Sequence, residues 1–221
     1  MLVSAELRWF WKDSAPAGLE TWFKDPAANL CAAGGGRERC DKYLADSGQV
    51  ELGIKQRDAK PGSPAGTSTG YEVKGLVGVK WVALPAWSLA ARMEVWTKWT
   101  SKALVLDERF LIPITKTRWL RKFDTAGPDP LEIPLNDKEE PIDERRRGVG
   151  LPALGCHVEV TRVATPNGDA WWTFGLEAFG DLQTIEGDLC AVINLLTARR
   201  LPPVSDGLAL SYPAWLREYG R

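Results

Sequence analysis

The chain has 221 residues, 44% of them hydrophobic and eleven of them tryptophan, which fits one globular domain and excludes a disordered or fibrous protein. Its 28 basic and 29 acidic side chains give a net charge of −1, which argues against general binding to nucleic acids or membrane surfaces. The apolar stretches are shorter than the about 20 residues that cross a bilayer, and residues 1–13 lack the features of a secretory signal. We therefore expect a cytoplasmic protein. The four cysteines lack the close spacing of zinc or redox motifs, which favours free thiols.

The first half of the chain is dominated by predicted strands. They cover residues 3–11, 39–44, 50–57 and 71–82. A short helix is predicted at 16–25, with Ser14 near its start and Asp25 before a proline at its end. The glycine run at 34–36 lacks the strand-to-helix context of a phosphate-binding loop, so it is interpreted as a connection. Residues 58–70, rich in Gly, Pro, Ser and Thr, are predicted to be a long hairpin loop.

The second half continues with strands and ends in two helices. Strands are predicted at residues 92–100, 112–123, 157–165 and 171–180. The last two form a hairpin around the turn Pro166-Asn167-Gly168. The helices are predicted at 181–200 and 211–220, with Ser211 as the N-cap of the second. Residues 124–150 contain four prolines and the charge run 144–147, which is interpreted as solvated, and they are predicted to be a mobile loop.

Charged residues recur on one parity along these strands. Successive side chains of a strand point to opposite sides of the sheet, so each strand has one charged face and one apolar or aromatic face. The charged faces carry ten basic residues, Arg8, Lys55, Arg57, Lys74, Arg92, Lys98, Lys102, Lys116, Arg118 and Lys122, and six acidic residues, Glu6, Glu51, Glu72, Glu94, Glu159 and Glu177. If these faces line one concave sheet or barrel, the result is a basic cavity that contains carboxylates.

Such a cavity suits phosphate chains. Arginine binds phosphate oxygens through two parallel N–H groups, and lysine acts as a compact point charge. Carboxylates would bind a divalent cation that bridges phosphate oxygens. Glu6, Glu159 and Glu177 are the candidate ligands for such an ion.

Three less specific interpretations stay open. Alternating charge is also typical of the solvated faces of a β-sandwich, where cross-strand pairs add only tenths of a kcal/mol, so the chain could be an interaction module without a cavity. His157, the single histidine, has no nucleophile motif around it, which favours a hydrogen-bonding role on its strand over catalysis. The strand tryptophans could stack on bases, but their alternation with the charges favours packing under helices. They are Trp9, Trp11, Trp99, Trp119, Trp171 and Trp172.

The order of the motifs resembles the CYTH superfamily, also called triphosphate tunnel metalloenzymes. The segment 39–58 is similar to the family's aspartate-x-tyrosine strand and the basic strand after it, and 71–75 is similar to the next strand, with its inward lysine. The segment 115–119 resembles the Lys-x-Arg strand, the hairpin 157–180 resembles the late acidic hairpin, and 211–216 resembles the family's tail. The resemblance spans nearly the whole chain.

The resemblance implies a fold that is mainly β (α+β): an antiparallel eight-stranded β-barrel or tunnel with flanking helices, formed by residues 1–221 as a single domain. It implies a phosphohydrolase that uses Mg²⁺ or Mn²⁺ and acts on triphosphate or polyphosphate compounds. Residue pattern and resemblance together predict phosphate contacts from Arg8, Lys55, Arg57, Lys74, Lys98, Lys116 and Arg118. They predict metal ligation by Glu6, Glu159 and Glu177, and catalytic roles for Glu159, Glu177 and Lys55.

The chain departs from the family pattern at its opening strand. The family's Glu-x-Glu-x-Lys appears here with Glu6 retained, Arg8 in place of the second glutamate and Phe10 in place of the lysine. The paired acids of the late hairpin are likewise reduced to Glu177. A second hypothesis is therefore a binder of phosphorylated or other anionic ligands with no catalysis and a depleted metal site. In both cases the expected partner is a small polyphosphate or nucleotide-like molecule, and apolar strand faces leave room for a homodimer.

Overall fold

The computed structural model describes residues 2–28, 36–44, 49–57, 70–87, 89–143, 152–204 and 206–220. Its ten strands are β1 (Leu2–Lys12), β2 (Arg37–Leu44), β3 (Leu52–Arg57), β4 (Tyr71–Leu84), β5 (Leu89–Ser101), β6 (Leu111–Asp124), β7 (Leu131–Ile133), β8 (Gly155–Ala164), β9 (Ala170–Phe179) and β10 (Leu208–Ala209). Its α-helices are α1 (Leu19–Lys24), α2 (Ile185–Ala198) and α3 (Tyr212–Tyr219). None of these helices is long and apolar enough to span a membrane.

Eight strands form a closed antiparallel barrel. Their order around the wall is β1-β5-β4-β3-β2-β6-β8-β9, and β9 pairs with β1 over nine residue pairs from Ser4↔Phe179 to Lys12↔Trp171. The short strands β10 and β7 extend the sheet from β1 and β6. Closure gives every barrel strand two partners and one face turned toward an enclosed interior. The predicted eight-stranded barrel with flanking helices is confirmed.

The main hydrophobic core lies outside the barrel wall. Odd-numbered residues of β1, among them Leu7 and Trp9, point outward and share one buried cluster with Leu189 and Val192 of α2 and with Phe23 of α1. The amphipathic pattern of α2 explains this position, because its apolar stripe needs a sheet face to cover. Burying these side chains stabilises the fold by about 1.5–3 kcal/mol each.

The tryptophan prediction is only partly right. Trp9, Trp11 and Trp171 are buried, and Trp119 stacks on Trp172 at a ring distance of 5.9 Å. Trp99 is 44% exposed, so the prediction that it packs under a helix is wrong.

Two of the three local predictions for turns and helix caps agree with the structure. Gly168, in the turn between β8 and β9, has a φ of 91°, a conformation that glycine adopts without steric cost. Ser211 caps α3, its hydroxyl accepting a hydrogen bond from the backbone N–H of Ala214 at 3.4 Å. The start of α1 differs, because the helix begins at Leu19, with Gly18 as its N-cap, and not near Ser14 as predicted.

The stretch 124–150, predicted to be a loop throughout, contains secondary structure. Strand β7 pairs with β6, and Leu135 forms an isolated bridge with Pro141. The apolar side chains of Ile133 and Leu135 pack on Leu120 of β6, which gives this segment a buried face of its own. The charge run 144–147, residues 58–69, Gly34, Gly35 and Cys31 lie outside the described residues. Cys40, Cys156 and Cys190 are free thiols, as predicted.

Candidate anion-binding tunnel

The barrel encloses a charged cavity of about 590 Å³. Among the described residues, nine basic side chains line it: Arg8, Arg39, Lys55, Lys74, Lys98, Lys116, Arg118, Lys122 and Arg217. Five carboxylates line it: Glu6, Glu72, Glu139, Glu159 and Glu177. The wall is therefore net positive in a chain whose net charge is −1. The charged strand faces point inward, so the alternative of a sandwich with solvated charged faces is wrong.

Strand register explains how these side chains come together. Glu6 lies opposite Glu177 across the β1–β9 pair, and Glu177 lies opposite His157 across the β9–β8 pair. On the other side of β1, Lys74 of β4 lies opposite Lys98 of β5, the strand next to β1. Each residue shares the inward parity of its strand, and antiparallel pairing stacks these positions into rows around the wall.

Glu6 is held between two lysines. Its carboxylate lies 2.5 Å from the Lys98 ammonium and 3.2 Å from that of Lys74. Lys98 also lies 2.6 Å from Glu177, and it thereby joins the two carboxylates. Burial alone would raise the pKa of Glu6, but the charges of Lys74, Lys98 and Arg8 outweigh it and hold this pKa well below its ordinary value.

Glu159 pairs with two arginines. Its carboxylate lies 2.7 Å from Nη2 of Arg8 and 3.5 Å from Nη1 of Arg118. Burial opposes ionisation here too, but the arginine charges prevail and keep the pKa of Glu159 well below its ordinary value. Arg118 also donates to Glu139, which belongs to the segment after β7. This part of the wall is therefore an alternating network of guanidinium and carboxylate groups.

Lys116 occupies the most buried position of the lysines that line the cavity. Its ammonium contacts the hydroxyl of Tyr43, lies 3.6 Å from Asp41 and stands 3.7 Å from the ring centre of Tyr212. Burial lowers the pKa of Lys116 well below its ordinary value, and the Asp41 charge only partly opposes this. Lys55 is more accessible and pairs with Glu72 at 3.0 Å.

His157 faces the cavity as a neutral imidazole. Burial lowers its pKa to about 4, an effect that the charge of Glu177 only partly opposes. Its ring lies 4.9 Å from that of Phe179 in a tilted arrangement, and its Nε2 is buried without a hydrogen-bond partner among the described residues. The hydrogen-bonding role predicted for His157 is therefore not seen at Nε2.

Helix α3 fills one end of the barrel. Tyr212, Trp215 and Leu216 pack against inward-facing apolar side chains, including Phe10 and Trp171. The ring of Trp215 stacks on that of Phe10 at 5.1 Å and lies at right angles to Trp171. The cavity thus has a charged part lined by the strands and an apolar floor made by the C-terminal helix.

The structure brings together most of the predicted site residues. Glu6, Arg8, Lys55, Lys74, Lys98, Lys116, Arg118, Glu159 and Glu177 all line the cavity. The side chain of Arg57 lies outside the described residues. Lys102 and Glu51 are exposed and do not line the cavity, and Arg92 pairs with Glu94 beside a separate small pocket.

Three charged residues that line the cavity were not predicted from the sequence. Arg39 has the same parity on β2 as Asp41 and Tyr43, so the alternation signal was present there. Glu139 follows β7 and Arg217 lies on α3, and neither position carries a strand pattern. Only the tertiary fold brings these two side chains to the tunnel.

The carboxylates do not fit a site for Mg²⁺ or Mn²⁺. Glu6, Glu159 and Glu177 line one cavity, but each is paired with lysine or arginine side chains. Within the described part of the chain, no three His, Cys, Asp or Glu side chains converge closely enough to hold a metal ion. A hard divalent cation needs several oxygen ligands directed at one point, and here those oxygens are directed at side-chain cations.

Comparisons with known proteins give only distant structural similarity. No protein-family model matches the chain, and no curated protein sequence matches it. The RNA triphosphatase domain of the mimivirus mRNA capping enzyme is 9% identical, with a TM-score of 0.42 over 88% of this chain and 89% of that one. The S. pombe RNA triphosphatase Pct1, solved in complex with the Spt5 CTD, is 8% identical, with a TM-score of 0.43 over 90% of this chain and 81% of that one. The tunnel-type fold itself follows from the closed strand order of the barrel.

Proposed function

We propose that the tunnel binds the phosphate chain of a triphosphate or polyphosphate compound. The single observation that supports this most strongly is the excess of cations in an enclosed cavity: nine basic side chains against five carboxylates among the described lining residues. In a space shielded from water, an anion gains more from each cation than it would on the surface. The ligand class is a small polyphosphate or a nucleotide-like molecule.

The ion pairs of the wall suggest how such a ligand is held. Lys55 and Lys98 are each paired with glutamates, and a phosphate chain carries a higher charge density than a carboxylate. A phosphate oxygen can therefore take over one donor of each ammonium while the carboxylate keeps another, because an ammonium has three. Arg118 adds a planar group that can bind two oxygens of one phosphate.

Hydrolysis of the phosphate chain is a second candidate function. It is supported by the presence of Glu159 and Glu177 in the same cavity as the lysines. The sequence predicted that these glutamates and Lys55 are catalytic. Because the donor set does not fit a metal ion, no catalytic step is assigned to one here.

Calorimetric titration with tripolyphosphate tests the binding proposal. We expect binding by the native chain and about a tenfold loss of affinity in Lys55→Ala, since a hydrogen bond to a charged group contributes about 1.5–3 kcal/mol. Lys80→Ala is the matched control, because Lys80 is 62% exposed in its side chain and pairs with Glu186 on α2, outside the barrel. Absence of binding, or an equal effect of both variants, would refute the proposal.

A phosphate-release assay on the same samples tests hydrolysis. Release from tripolyphosphate is measured with EDTA, with Mg²⁺ and with Mn²⁺, in the native chain and in Glu159→Gln. Turnover that is lost in the variant would establish the hydrolase. Binding without turnover under all three conditions would leave the protein as a binder.

A further inference from the structure

The guanidinium of Arg8 is fixed inside the cavity by three different groups. Nη2 pairs with Glu159 at 2.7 Å, and Nη1 donates to the Thr173 hydroxyl at 2.9 Å. The guanidinium carbon also lies 4.7 Å from the ring centre of Tyr212 on α3, within range of a cation–π contact. A guanidinium has five N–H donors, so these contacts hold its orientation and still leave capacity for a ligand.

A glycine makes this position possible. Arg8 and Gly175 are direct cross-strand partners on β1 and β9. A Cβ at position 175 would lie 2.6 Å from the Arg8 guanidinium carbon and 2.7–2.8 Å from its two terminal nitrogens. Real side chains do not approach so closely, so any residue other than glycine at 175 would displace the guanidinium from the wall.

The carboxylates near Arg8 are neutralised by the cations of neighbouring side chains. Arg8 and Arg118 neutralise Glu159, while Lys74 and Lys98 neutralise Glu6. Arginine stays protonated at all physiological pH values. The cavity thus already contains fixed cations beside each of these two carboxylates.

We propose that Arg8, whose guanidinium packs against Gly175, is a permanently charged phosphate-binding residue of the tunnel. We propose also that the tunnel binds its ligand without a divalent metal ion. This inference rests on the proposed function, because it specifies how the same cavity holds a phosphate chain. It differs from the metal-dependent site that the sequence resemblance implies.

The first test compares tripolyphosphate binding in EDTA and in excess Mg²⁺ by calorimetry. We expect full binding in EDTA and weaker apparent binding in Mg²⁺, since Mg²⁺ competes with the protein for tripolyphosphate. Binding that appears only with Mg²⁺ would overturn this inference and leave the proposed function standing. Absence of binding under both conditions would refute the proposed function itself.

The second test fills the space that the Arg8 guanidinium occupies beside Gly175, without changing any charge. Gly175→Ala should weaken tripolyphosphate binding about tenfold in EDTA, the loss expected for one charge-assisted contact. Gly187→Ala on α2 is the matched control, because a Cβ there meets no atom within 4 Å, and its affinity should be unchanged. Native affinity in Gly175→Ala would overturn the inference.

Two further variants keep the test decisive if Gly175→Ala does not fold, which thermal unfolding would show. Arg8→Gln should lose affinity about tenfold or more, while Arg8→Lys should lose less because it keeps the positive charge. Equal affinity of Arg8→Gln and the native chain would show that Arg8 is only a structural partner of Glu159.

Discussion

The ammonium of Lys98 lies 2.6 Å from a carboxylate oxygen of Glu177, although β1 separates their two strands in the barrel wall. The same ammonium reaches Glu6 on that middle strand at 2.5 Å. One lysine therefore links three neighbouring strands through their inward faces. Lys98 thereby contacts both strands of the β1–β9 pair that closes the barrel.

Lys98→Ala should lower the free energy of unfolding by about 1–3 kcal/mol, because it leaves two carboxylates without their shared partner in a largely enclosed space. Urea denaturation measures the change. Lys80→Ala removes an exposed pair and should change stability by less than about 1 kcal/mol. Equal losses in the two variants would contradict a structural role for the Lys98 link.

Stability should fall as the pH decreases from about 7 to 5.5, and His157 should be the cause. Its pKa is about 4 in the folded protein and about 6.5 in an unfolded chain, so the unfolded state binds the proton first. The stabilising contribution is complete above the unfolded pKa and is lost as the pH falls through the folded one.

His157→Gln should flatten this pH dependence between pH 7 and 5.5, because His157 is the single histidine of the chain. Urea denaturation of both proteins at several pH values in this range is the measurement. An unchanged slope in the variant would assign the dependence to other groups.

Trp215→Ala should destabilise the protein by about 3–5 kcal/mol, since Trp215 is fully buried and truncation leaves a cavity between α3 and the inner barrel wall. Chemical denaturation followed by far-ultraviolet circular dichroism measures the loss. Trp81→Ala is the control, because that side chain is 72% exposed and should contribute less than about 1 kcal/mol. A small loss in Trp215→Ala would mean that α3 is not an integral part of the barrel.

Asp41→Asn should destabilise the protein by about 3 kcal/mol at pH 7, because it removes the nearest negative charge from the buried ammonium of Lys116. Asparagine keeps the size of the side chain and an acceptor oxygen for Tyr43. The folded pKa of Lys116 is already lowered by burial, and the substitution lowers it further. The cost that arises from Lys116 is present at neutral pH and disappears above the unfolded lysine pKa of about 10.4. The cost of losing the pair between Asp41 and Arg39, at 3.4 Å, remains because arginine stays charged.

Urea denaturation of Asp41→Asn at pH 7 and near pH 10.5 checks this prediction, with the deficit expected to narrow at the higher pH. Asp169→Asn, which affects an exposed pair with Lys12, should stay within about 1 kcal/mol of the native chain. A deficit in Asp41→Asn that is the same at both pH values would show that the charge of Lys116 is not involved.

The strands, their two faces and several of their ends can be predicted from the sequence alone. Glu6 and Arg8 share the charged face of β1, and Glu177 and Glu159 lie on the charged faces of β9 and β8, because strand side chains alternate with a fixed period of two. Ser211 and Gly168 were equally readable, since capping and turn conformations depend on one or two residues. These signals are local, so no knowledge of distant contacts was needed.

The direction of the charged faces and the contacts of their side chains depend on the tertiary fold. Alternating charge looks the same on a solvated sheet as on the inner wall of a barrel, and the pairing of β1 with β9 joins segments more than 150 residues apart. That closure packs the Arg8 side chain against Gly175 and beside Glu159. It also pairs the three predicted metal ligands with lysine and arginine side chains. It also brings in Glu139 and Arg217 from segments without a strand pattern, because the partner of a buried charge is set by three-dimensional proximity and not by spacing along the chain.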